Sequence, residues 1–462
     1  MRQRLLPLSS LFALALAAPA FAQTGDFADG ELLVRTRDPL TLDYNIYRID
    51  PTTGNGAVFL PDVTLTSVQT GWYVYDAYRD GMLAYTPHLP LKIQNSELLL
   101  VRGDGQVAQL GFRLEQLSAM APVGDGRVYL SKGGELHLLD AANDITPVLD
   151  AGGQPVDLPF SFLIYDAPSN ALLGAIGTGT PGALCGSTSV SVTRLPLNAT
   201  GTQLSGAPTC NGYGAASGTG VIGLDHLPSG EILLTQRDND LIDKQQLRSF
   251  DPVTLAFSPW AESNVSDLDG GAWTQPLGKA VVLDDVNNVL RAYGFGESGT
   301  GTEIPTTVPV SESSTGGGSN TLVGVNGGSG ACPGSVSSFG QGVPGFNNWT
   351  PLLGAGSCPK IGSPLPIHIG NGRPAGAGLM GFSLNTTTYP LGAGMGYLAP
   401  PLLFTAPFTL SSFPQDGLGK VVVPISDDPG LIGITVYVQA GIVDSVAAGG
   451  FSLSQALAIT IG

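Results

Sequence analysis

The chain has few charged residues, few cysteines and few histidines for its length. Charged side chains make up 12% of its 462 residues, and 4 cysteines and 4 histidines are present. So low a charge content argues against long solvated helices and coiled coils. With 20 basic and 37 acidic residues the net charge is −17, so basic surface for binding phosphates is scarce. We expect no nucleic-acid partner for this acidic protein.

The sequence also lacks a hydrophobic run long enough to span a bilayer. The apolar run at residues 5–18 is shorter than the ~20 residues that a membrane helix needs. It follows Arg2 and Arg4 and precedes the small-x-small sequence AFA at residues 20–22, which is the order of a secretory signal peptide. The sequence therefore predicts a signal peptide over residues 1–22 and no membrane span in the mature chain. The alternative is a retained anchor. We expect an exported protein that is periplasmic, at the cell surface or extracellular.

An even number of cysteines in an exported chain predicts disulfide bonds, and four cysteines allow three pairings. We expect the two local bonds, Cys185 with Cys210 and Cys332 with Cys358. A zinc site is not expected, because no CxxC or HxxxH spacing occurs.

Glycine and proline are abundant, with 65 and 35 residues, and they separate short apolar segments that repeat. A turn followed by an apolar strand begins at Gly30, Gly81, Gly126, Asn170, Gly230 and Gly278. The interval is roughly 50 residues, and further short strands surround each turn, which is typical of four-stranded propeller blades. We predict an all-β fold in which residues 23–326 form a six-bladed β-propeller. Seven blades, or two stacked β-sandwiches, are the alternatives.

The first repeat unit lacks the strand that precedes the turn in the other five. A propeller closes its ring when one blade is completed from both ends of this region. Either residues 321–325 or residues 303–310 are expected to supply the missing strand.

The pattern changes after a Gly/Ser-rich linker predicted at residues 327–334. Apolar and other residues alternate with period two, as in LPIHI at residues 365–369, and Pro and Gly turns break the segments. This pattern predicts a C-terminal β-sandwich over residues 335–462.

Two sets of segments resemble known families. IYRIDPTTG at residues 46–54 and LRSFDPVTL at residues 247–255 resemble the Y-x-I-D-P-x-T-G hairpins of secreted bacterial propellers of the NHL, YVTN and quinoprotein-like kinds. In these hairpins Asp caps the turn and Pro presets φ, so the resemblance implies a fold and no chemistry. The segments CPGS, LGAGSCPKIGSPLPIHIGN and SLSQALAITIG resemble a C-terminal module of exported planctomycete-type proteins. That likeness implies an envelope or extracellular accessory domain.

Three carboxylates occupy matching places at the ends of the first strands of different units. The candidate channel-binding residues are Asp76, Asp166, Asp225 and His226. Since first strands line a propeller's central channel, these groups are candidates to bind a cation or sugar hydroxyls, or to act as acid and base. In the alternative, structural role, each Asp caps the hairpin that follows it. Tyr75 and Tyr165 are the expected stacking platforms.

Two Asp-rich segments have the spacing of calcium-binding loops. They are Asp238, Asp240 and Asp243, and Asp284 with Asp285, Asn287 and Asn288. Oxygen ligands on a flexible turn suit Ca²⁺, although hairpin turns are themselves rich in Asp and Asn. No cofactor is identified, and calcium is the candidate that these segments raise.

The common catalytic motifs are absent from the sequence. There is no G-x-S-x-G elbow, no H-E-x-x-H, no P-loop and no dinucleotide fingerprint. The sequence favours an exported non-catalytic binding or scaffolding protein of the cell envelope or extracellular space. Its expected partner is an envelope polysaccharide or another exported protein. The alternative is a propeller enzyme, a hydrolase or lyase acting on carbohydrate or a lactone at a central-channel site, because propeller sites draw residues from distant blades.

Overall fold

In the computed structural model, the regular elements of the described residues are strands and two 3₁₀ turns. The structure describes residues 27–37, 44–61, 72–86, 97–103, 107–110, 117–176, 190–213, 220–237, 247–265, 268–284, 287–308, 310, 322–325, 333–412 and 417–462. The predicted signal peptide and most of the predicted linker lie outside these residues. No helix within them is long and apolar enough to cross a membrane. The all-β prediction is confirmed.

Short strands follow one another closely through the N-terminal region. Up to residue 176 they are β1 (Leu32–Arg37), β2 (Tyr44–Ile49), β3 (Gly56–Pro61), β4 (Trp72–Asp76), β5 (Gly81–Thr86), β6 (Glu97–Arg102), β7 (Val107–Gln109), β8 (Leu117–Pro122), β9 (Val128–Lys132), β10 (Glu135–Leu139), β11 (Ile145–Pro147), β12 (Phe162–Asp166) and β13 (Ala171–Ile176). They continue as β14 (Val190–Pro196), β15 (Thr209–Tyr213), β16 (Gly220–His226), β17 (Ile232–Arg237), β18 (Leu247–Phe250), β19 (Phe257–Ser263), β20 (Leu268–Thr274), β21 (Lys279–Asp284), β22 (Val289–Tyr293), β23 (Ser298–Gly299), β24 (Thr302–Ile304) and β25 (Leu322–Gly324).

Within the described residues these strands form six sheets, each built on four antiparallel strands. Sheet 1 has the order β25-β1-β2-β3, sheet 2 β4-β5-β6-β7, sheet 3 β8-β9-β10-β11 and sheet 4 β12-β13-β14-β15. Sheet 5 has the order β16-β17-β18-β19, and sheet 6 has the order β20-β21-β22-β24. The two-residue strand β23 adds to sheet 5 by pairing with β19 in parallel. Each sheet other than sheet 1 is therefore a nearly continuous stretch of chain.

The first strand of each sheet contacts the first strands of the two neighbouring sheets. These contacts run from β4 to β8, β12, β16, β20 and β25, and from β25 back to β4. Because the series returns to its start, the sheets form a closed ring around these inner strands. This is the arrangement of a β-propeller.

Strand β25 closes the ring. Leu322 lies opposite Val34 and Val323 lies opposite Leu33 in an antiparallel pair. Of the two segments that the sequence offered for the missing strand, residues 321–325 contain the one that pairs with β1. Within residues 303–310, the end of β24 pairs instead with β22 on the outer side of sheet 6.

Apolar clusters fill the space between neighbouring sheets all round the ring. The second strands are buried on both faces, as at Val128 to Leu130 in β9 and Ala280 to Leu283 in β21. That double burial explains why these strands are continuous apolar runs rather than alternating ones.

The described residues of the C-terminal region form eleven further strands. They are β26 (Ser335–Phe339), β27 (Leu352–Ala355), β28 (Pro364–Gly370), β29 (Ala377–Ser383), β30 (Thr386–Leu391), β31 (Gly394–Leu398), β32 (Phe404–Thr409), β33 (Gly419–Pro424), β34 (Thr435–Val443), β35 (Phe451–Leu453) and β36 (Ala456–Thr460), with 3₁₀ turns at Phe346–Asn348 and Pro429–Leu431. One sheet has the order β26-β36-β34-β29-β32, with β35 beside β34, and a second has the order β27-β28-β33. The two sheets share one core, in which Ile367 and Ile369 pack with Met380 and Val438.

The C-terminal region contacts sheets 2 and 3 of the ring through polar groups and strand edges. Strands β27 and β28 contact β7. The Lys420 ammonium group donates to the Ala142 carbonyl oxygen and to Asp144 Oδ1, both at 2.7 Å. Asn143 Nδ2 lies 3.0 Å from His368 Nε2, and both side chains are buried. The two regions are therefore joined by specific hydrogen bonds as well as by the connecting chain.

Candidate functional site

A cavity of about 520 Å³ lies inside the ring of inner strands. Each of the six inner strands contributes to its wall, including Leu322 and Val323 of β25, Val74 of β4 and Ile164 of β12. The wall is mostly aliphatic or aromatic, with several glycine and alanine residues. A largely apolar, preformed cavity with a few polar groups is typical of small-molecule sites.

Asp225 and His226 are the acidic and the basic side chain among the described residues of the cavity wall. Asp225 is half-buried. Its Oδ1 accepts from the His226 backbone N–H and its Oδ2 accepts from the Trp273 backbone N–H, both at 2.7 Å. The second bond joins β16 of sheet 5 to β20 of sheet 6. Asp225 is thus held in place at one end of the cavity by two backbone donors.

The His226 ring is accessible from the cavity although protein surrounds it. Its Nε2 atom lies 3.0 Å from the carbonyl oxygen of Tyr165, which joins sheet 5 to sheet 4. Burial lowers the pKa of His226 below 6.5, while the Tyr165 carbonyl and Asp166 raise it in part. The lowered pKa keeps the imidazole neutral at pH 7.

The two tyrosines expected as stacking platforms, Tyr75 and Tyr165, both line the cavity. Their hydroxyl groups are used in turns. Tyr75 donates to Asp80 Oδ1 at 3.0 Å, and Tyr165 donates to Asn170 Oδ1 at 2.9 Å. Asp80 and Asn170 have φ angles of 46° and 45° at the ends of equivalent hairpin turns. The rings are therefore fixed at the cavity wall by these hydrogen bonds.

Asp76 is not among the residues that line the cavity. It is fully buried and forms an ion pair with Arg79, with 2.5 Å between Oδ2 and Nη1. Its Oδ1 accepts from the Tyr78 backbone N–H at 3.1 Å. These contacts are those of the structural role, in which the carboxylate stabilises the following turn.

Asp166 is also buried and engaged in its own turn, where it accepts from the Ser169 backbone N–H at 3.1 Å and from the Ser169 hydroxyl. The structure therefore does not bring the three carboxylates together around the cavity. The reason lies in the strand register. Asp76 pairs with Gly81 and Asp166 with Ala171 at the ends of their strands, whereas in β16 the matching end position is His226, opposite Ile232. Asp225 lies one residue earlier, and a shift of one residue along a strand turns a side chain to the other face.

The described residues contain no group of three or more His, Cys, Asp and Glu side chains placed to hold a metal ion. Asp284, from the second Asp-rich segment, is buried, accepts from the Asn287 backbone N–H at 3.0 Å and pairs with Arg291 at 2.5 Å. Its carboxylate is thus used in a turn and an ion pair. Residues 238–243 and Asp285 lie outside the described residues, so calcium at these segments stays a prediction.

Neither of the two described cysteines, Cys210 and Cys358, is a free thiol. Their predicted partners, Cys185 and Cys332, lie outside the described residues. The expected pairing stays a prediction.

Sequence reasoning missed the glycines and the carbonyl that shape the polar end of the cavity. Gly223 and Gly271 both line it, and a Cβ atom on Gly223 would lie 2.8 Å from the Gly271 carbonyl oxygen. The Tyr165 carbonyl that binds His226 left no signal in the sequence, because any residue carries a carbonyl. The Gly270-Gly271 pair inside a predicted strand was the available signal, since glycine within a strand marks a close backbone approach.

The chain was compared with known proteins. No protein-family model matches it, and no curated protein matches it either. Among solved structures it is similar to a chain of a nidogen/laminin complex, with 10% identity, a TM-score of 0.39, and coverage of 57% of this chain and 89% of that one. A periplasmic gluconolactonase from Pseudomonas aeruginosa has 12% identity, a TM-score of 0.35, and coverage of 60% and 97%.

Hydrazine synthase from Kuenenia stuttgartiensis has 10% identity and a TM-score of 0.32, with coverage of 50% of this chain and 78% of that one. TM-scores this low do not carry the assignment of the fold. The assignment depends on the strand pairing and on the closed ring of inner strands.

Proposed function

We propose that this chain is an exported binding protein that holds a small molecule in the central cavity. In this proposal residues 23–326 are a six-bladed propeller, each of sheets 1 to 6 being one blade, and residues 335–462 are a β-sandwich. The observation that carries the proposal is the cavity itself. It has an apolar wall drawn from every inner strand and a polar end at Asp225 and His226.

Binding is favoured over catalysis by what the carboxylates contact. An acid and base pair needs two titratable groups facing one reacting centre. Asp76 and Asp166 are buried in their own turns, and Asp225 accepts from two backbone amides. The hydrolase or lyase alternative would leave His226 and Asp225 to perform the chemistry.

Export is proposed from the signal-peptide pattern at residues 1–22, and the cysteine content is consistent with it. Envelope polysaccharides and other exported proteins are retained as proposed partners of the outer surface. Intact macromolecules of either kind are too large for a cavity of about 520 Å³. The cavity ligand is therefore proposed as a separate, small molecule.

Filling the cavity entrance tests the proposal. Ala167 lines the cavity in the turn after β12 and is exposed, so Ala167→Trp narrows the site without inserting a ring into the core. Ala256, an exposed alanine in another turn, provides the matched control Ala256→Trp. A fragment library is screened against the full chain by ligand-detected NMR. We expect compounds whose signals change with the native chain and with Ala256→Trp, and whose affinity falls at least about tenfold with Ala167→Trp.

The proposal fails if no fragment binds, or if Ala167→Trp leaves the affinity of the binders unchanged. The same NMR samples, followed over hours, separate binding from catalysis. Conversion of a bound carbohydrate or lactone fragment to product, lost in His226→Gln, would favour the enzyme alternative.

A further inference from the structure

The hydrogen bond between His226 and Tyr165 determines which ring nitrogen carries the proton. The Tyr165 carbonyl oxygen can only accept, so Nε2 of His226, 3.0 Å away, is the donor. Because burial keeps the pKa of His226 below 6.5, the ring is neutral at pH 7 and its lone pair lies at Nδ1. Nδ1 has no hydrogen-bond partner among the described residues. The polar end of the cavity therefore presents an acceptor.

The side chains of the described cavity wall offer acceptors and no uncommitted donor. The hydroxyl hydrogens of Tyr75 and Tyr165 are donated to Asp80 and Asn170. The wall residues include no Ser, Thr, Asn, Gln, Lys or Arg among the part of the chain that the structure describes. A ligand group at this end must therefore bring its own proton to be bound by a side chain.

We propose that the cavity binds an uncharged alcohol or phenol with an apolar body, whose hydroxyl group donates to Nδ1 of His226. This inference rests on the proposed binding function of the cavity. The apolar body packs against Ile164 and Val323 and against the aromatic rings of Tyr75 and Phe162. The hydroxyl group of such a ligand thus matches the polar end of the cavity, and its apolar body matches the apolar wall.

Charged ligands fit these surroundings less well. A carboxylate would bring a lone pair to Nδ1, where another lone pair already lies, and would approach the Asp225 carboxyl group. An ammonium group would approach the Asp225 carboxylate, but both oxygens of that carboxylate already accept from backbone N–H groups. The ammonium group would also lose its water against an apolar wall, which is costly unless compensated. A methyl ether keeps the apolar body and the oxygen of the alcohol, lacks its donor and adds one methyl group. The part of the alcohol preference that depends on His226 therefore measures the hydrogen bond.

Four compounds that share the naphthalene ring system test the inference: 2-naphthylmethanol, its methyl ether, 2-naphthoate and 2-naphthylmethylammonium. Dissociation constants are measured for the full chain at pH 8 by titration calorimetry. We expect the alcohol to bind about fivefold to tenfold more tightly than the ether, which is the usual net effect of one hydrogen bond. The carboxylate and the ammonium compound are expected to bind more weakly than the alcohol.

His226→Gln then locates the preference. A glutamine amide can still donate to the Tyr165 carbonyl, and it places no acceptor where Nδ1 lies. We expect the ratio of alcohol to ether affinity to fall to about one in this variant. His137→Gln is the control, because His137 on β10 does not line the cavity, and it should keep the native ratio.

Equal binding of alcohol and ether by the native chain, or tightest binding of a charged compound, would overturn the hydroxyl preference and retain the cavity as a binding site. Retention of the preference for the alcohol in His226→Gln would overturn the assignment of Nδ1 of His226 as the acceptor. If none of the four compounds binds while Ala167→Trp still blocks other fragments, the inference fails and the proposed function stands. If no fragment of any kind binds, both fail.

Discussion

The ion pair between Asp76 and Arg79 lies within the turn after β4, and Arg79 joins this turn to turns of the neighbouring sheet 3. Neither side chain is accessible to solvent. Arg79 also donates through Nη2 to the Gly126 and Asp140 carbonyl oxygens at 2.9 and 2.8 Å, and through Nε to Asn143 Oδ1 at 3.2 Å. Each guanidinium nitrogen thus has an acceptor, and Asp76 is the group that balances the charge of Arg79. Such a pair is costly to break because it leaves an uncompensated buried charge.

We predict that Asp76→Asn lowers the free energy of unfolding by about 3–5 kcal/mol. The same substitution at Asp125, which pairs with Arg127 at 2.7 Å and is 52% exposed, should cost less than about 1 kcal/mol. Urea unfolding of the full chain, followed by fluorescence, measures both. Equal costs for the two variants would show that the buried pair is not what stabilises these turns.

At the scale of residues, the sequence indicated which tyrosines and aspartates lie near the cavity, but not which face of its strand each side chain occupies. The Tyr-Asp-Ala repeats at Tyr75 and Tyr165 identified cavity-lining tyrosines and turn-capping aspartates. Asp225 resembled those aspartates in sequence. Its place one residue before the strand end depends on the pairing of β16 with β17, where the register shifts between Val221 and Gly223. Such an irregularity cannot be inferred from spacing alone.

At the scale of elements, the six sheets share one pattern, in which the second strand is an apolar segment that follows a turn. That regularity could be read from the sequence, and β5, β9, β13 and β21 all begin at or within two residues of the predicted turns. The sequence narrowed the strand that closes the ring only to two segments. Residues 321–325 and residues 303–310 both contain apolar residues suited to a short strand. The choice depends on a pairing with β1 across nearly 300 residues of chain.

The close approach of β17 and β20 depends on glycine. A Cβ atom on Gly271 would clash with the Thr235 hydroxyl oxygen and lie 2.7 Å from the Thr235 Cβ atom. We predict that Gly271→Ala lowers the free energy of unfolding by about 1–3 kcal/mol, which is typical of overpacking. Gly206→Ala is the control, since its added Cβ would meet only the Pro196 ring at 3.6 Å. Chemical unfolding of both variants checks this, and a neutral Gly271→Ala would mean that the two strands can separate freely.

At the scale of the whole molecule, the C-terminal region is held on the ring by a chain of buried polar contacts. Arg79 donates to Asn143 Oδ1, and Asn143 Nδ2 in turn lies 3.0 Å from His368 Nε2. The sequence placed His368 on a strand of the C-terminal unit and could not show that it faces another unit. The alternation of residues 365–369 would be the same whether His368 faced solvent or was buried at an interface.

The buried His368 makes the stability of this junction depend on pH. Complete burial, with Lys420 and Arg79 nearby, lowers its pKa from 6.5 to about 3. Between these two values the unfolded chain binds a proton that the folded chain does not, so stability falls as the pH falls from 6.5 toward 3. His368→Gln keeps an acceptor for Asn143 and removes the titration. The native chain should therefore lose about 1.5 kcal/mol more stability than this variant between pH 6.5 and 5.

Urea unfolding at pH 8, 6.5 and 5 measures this difference. At pH 8 the histidine is neutral in both the folded and the unfolded native chain, so that measurement fixes the cost of the substitution itself. The lowered pKa values of His137 and His226 contribute equally to both proteins and cancel in the comparison. Parallel pH profiles for the native chain and His368→Gln would mean that His368 takes up its proton without disturbing the folded junction. A steeper native profile would show that the neutral imidazole at this junction couples the ring to the C-terminal region.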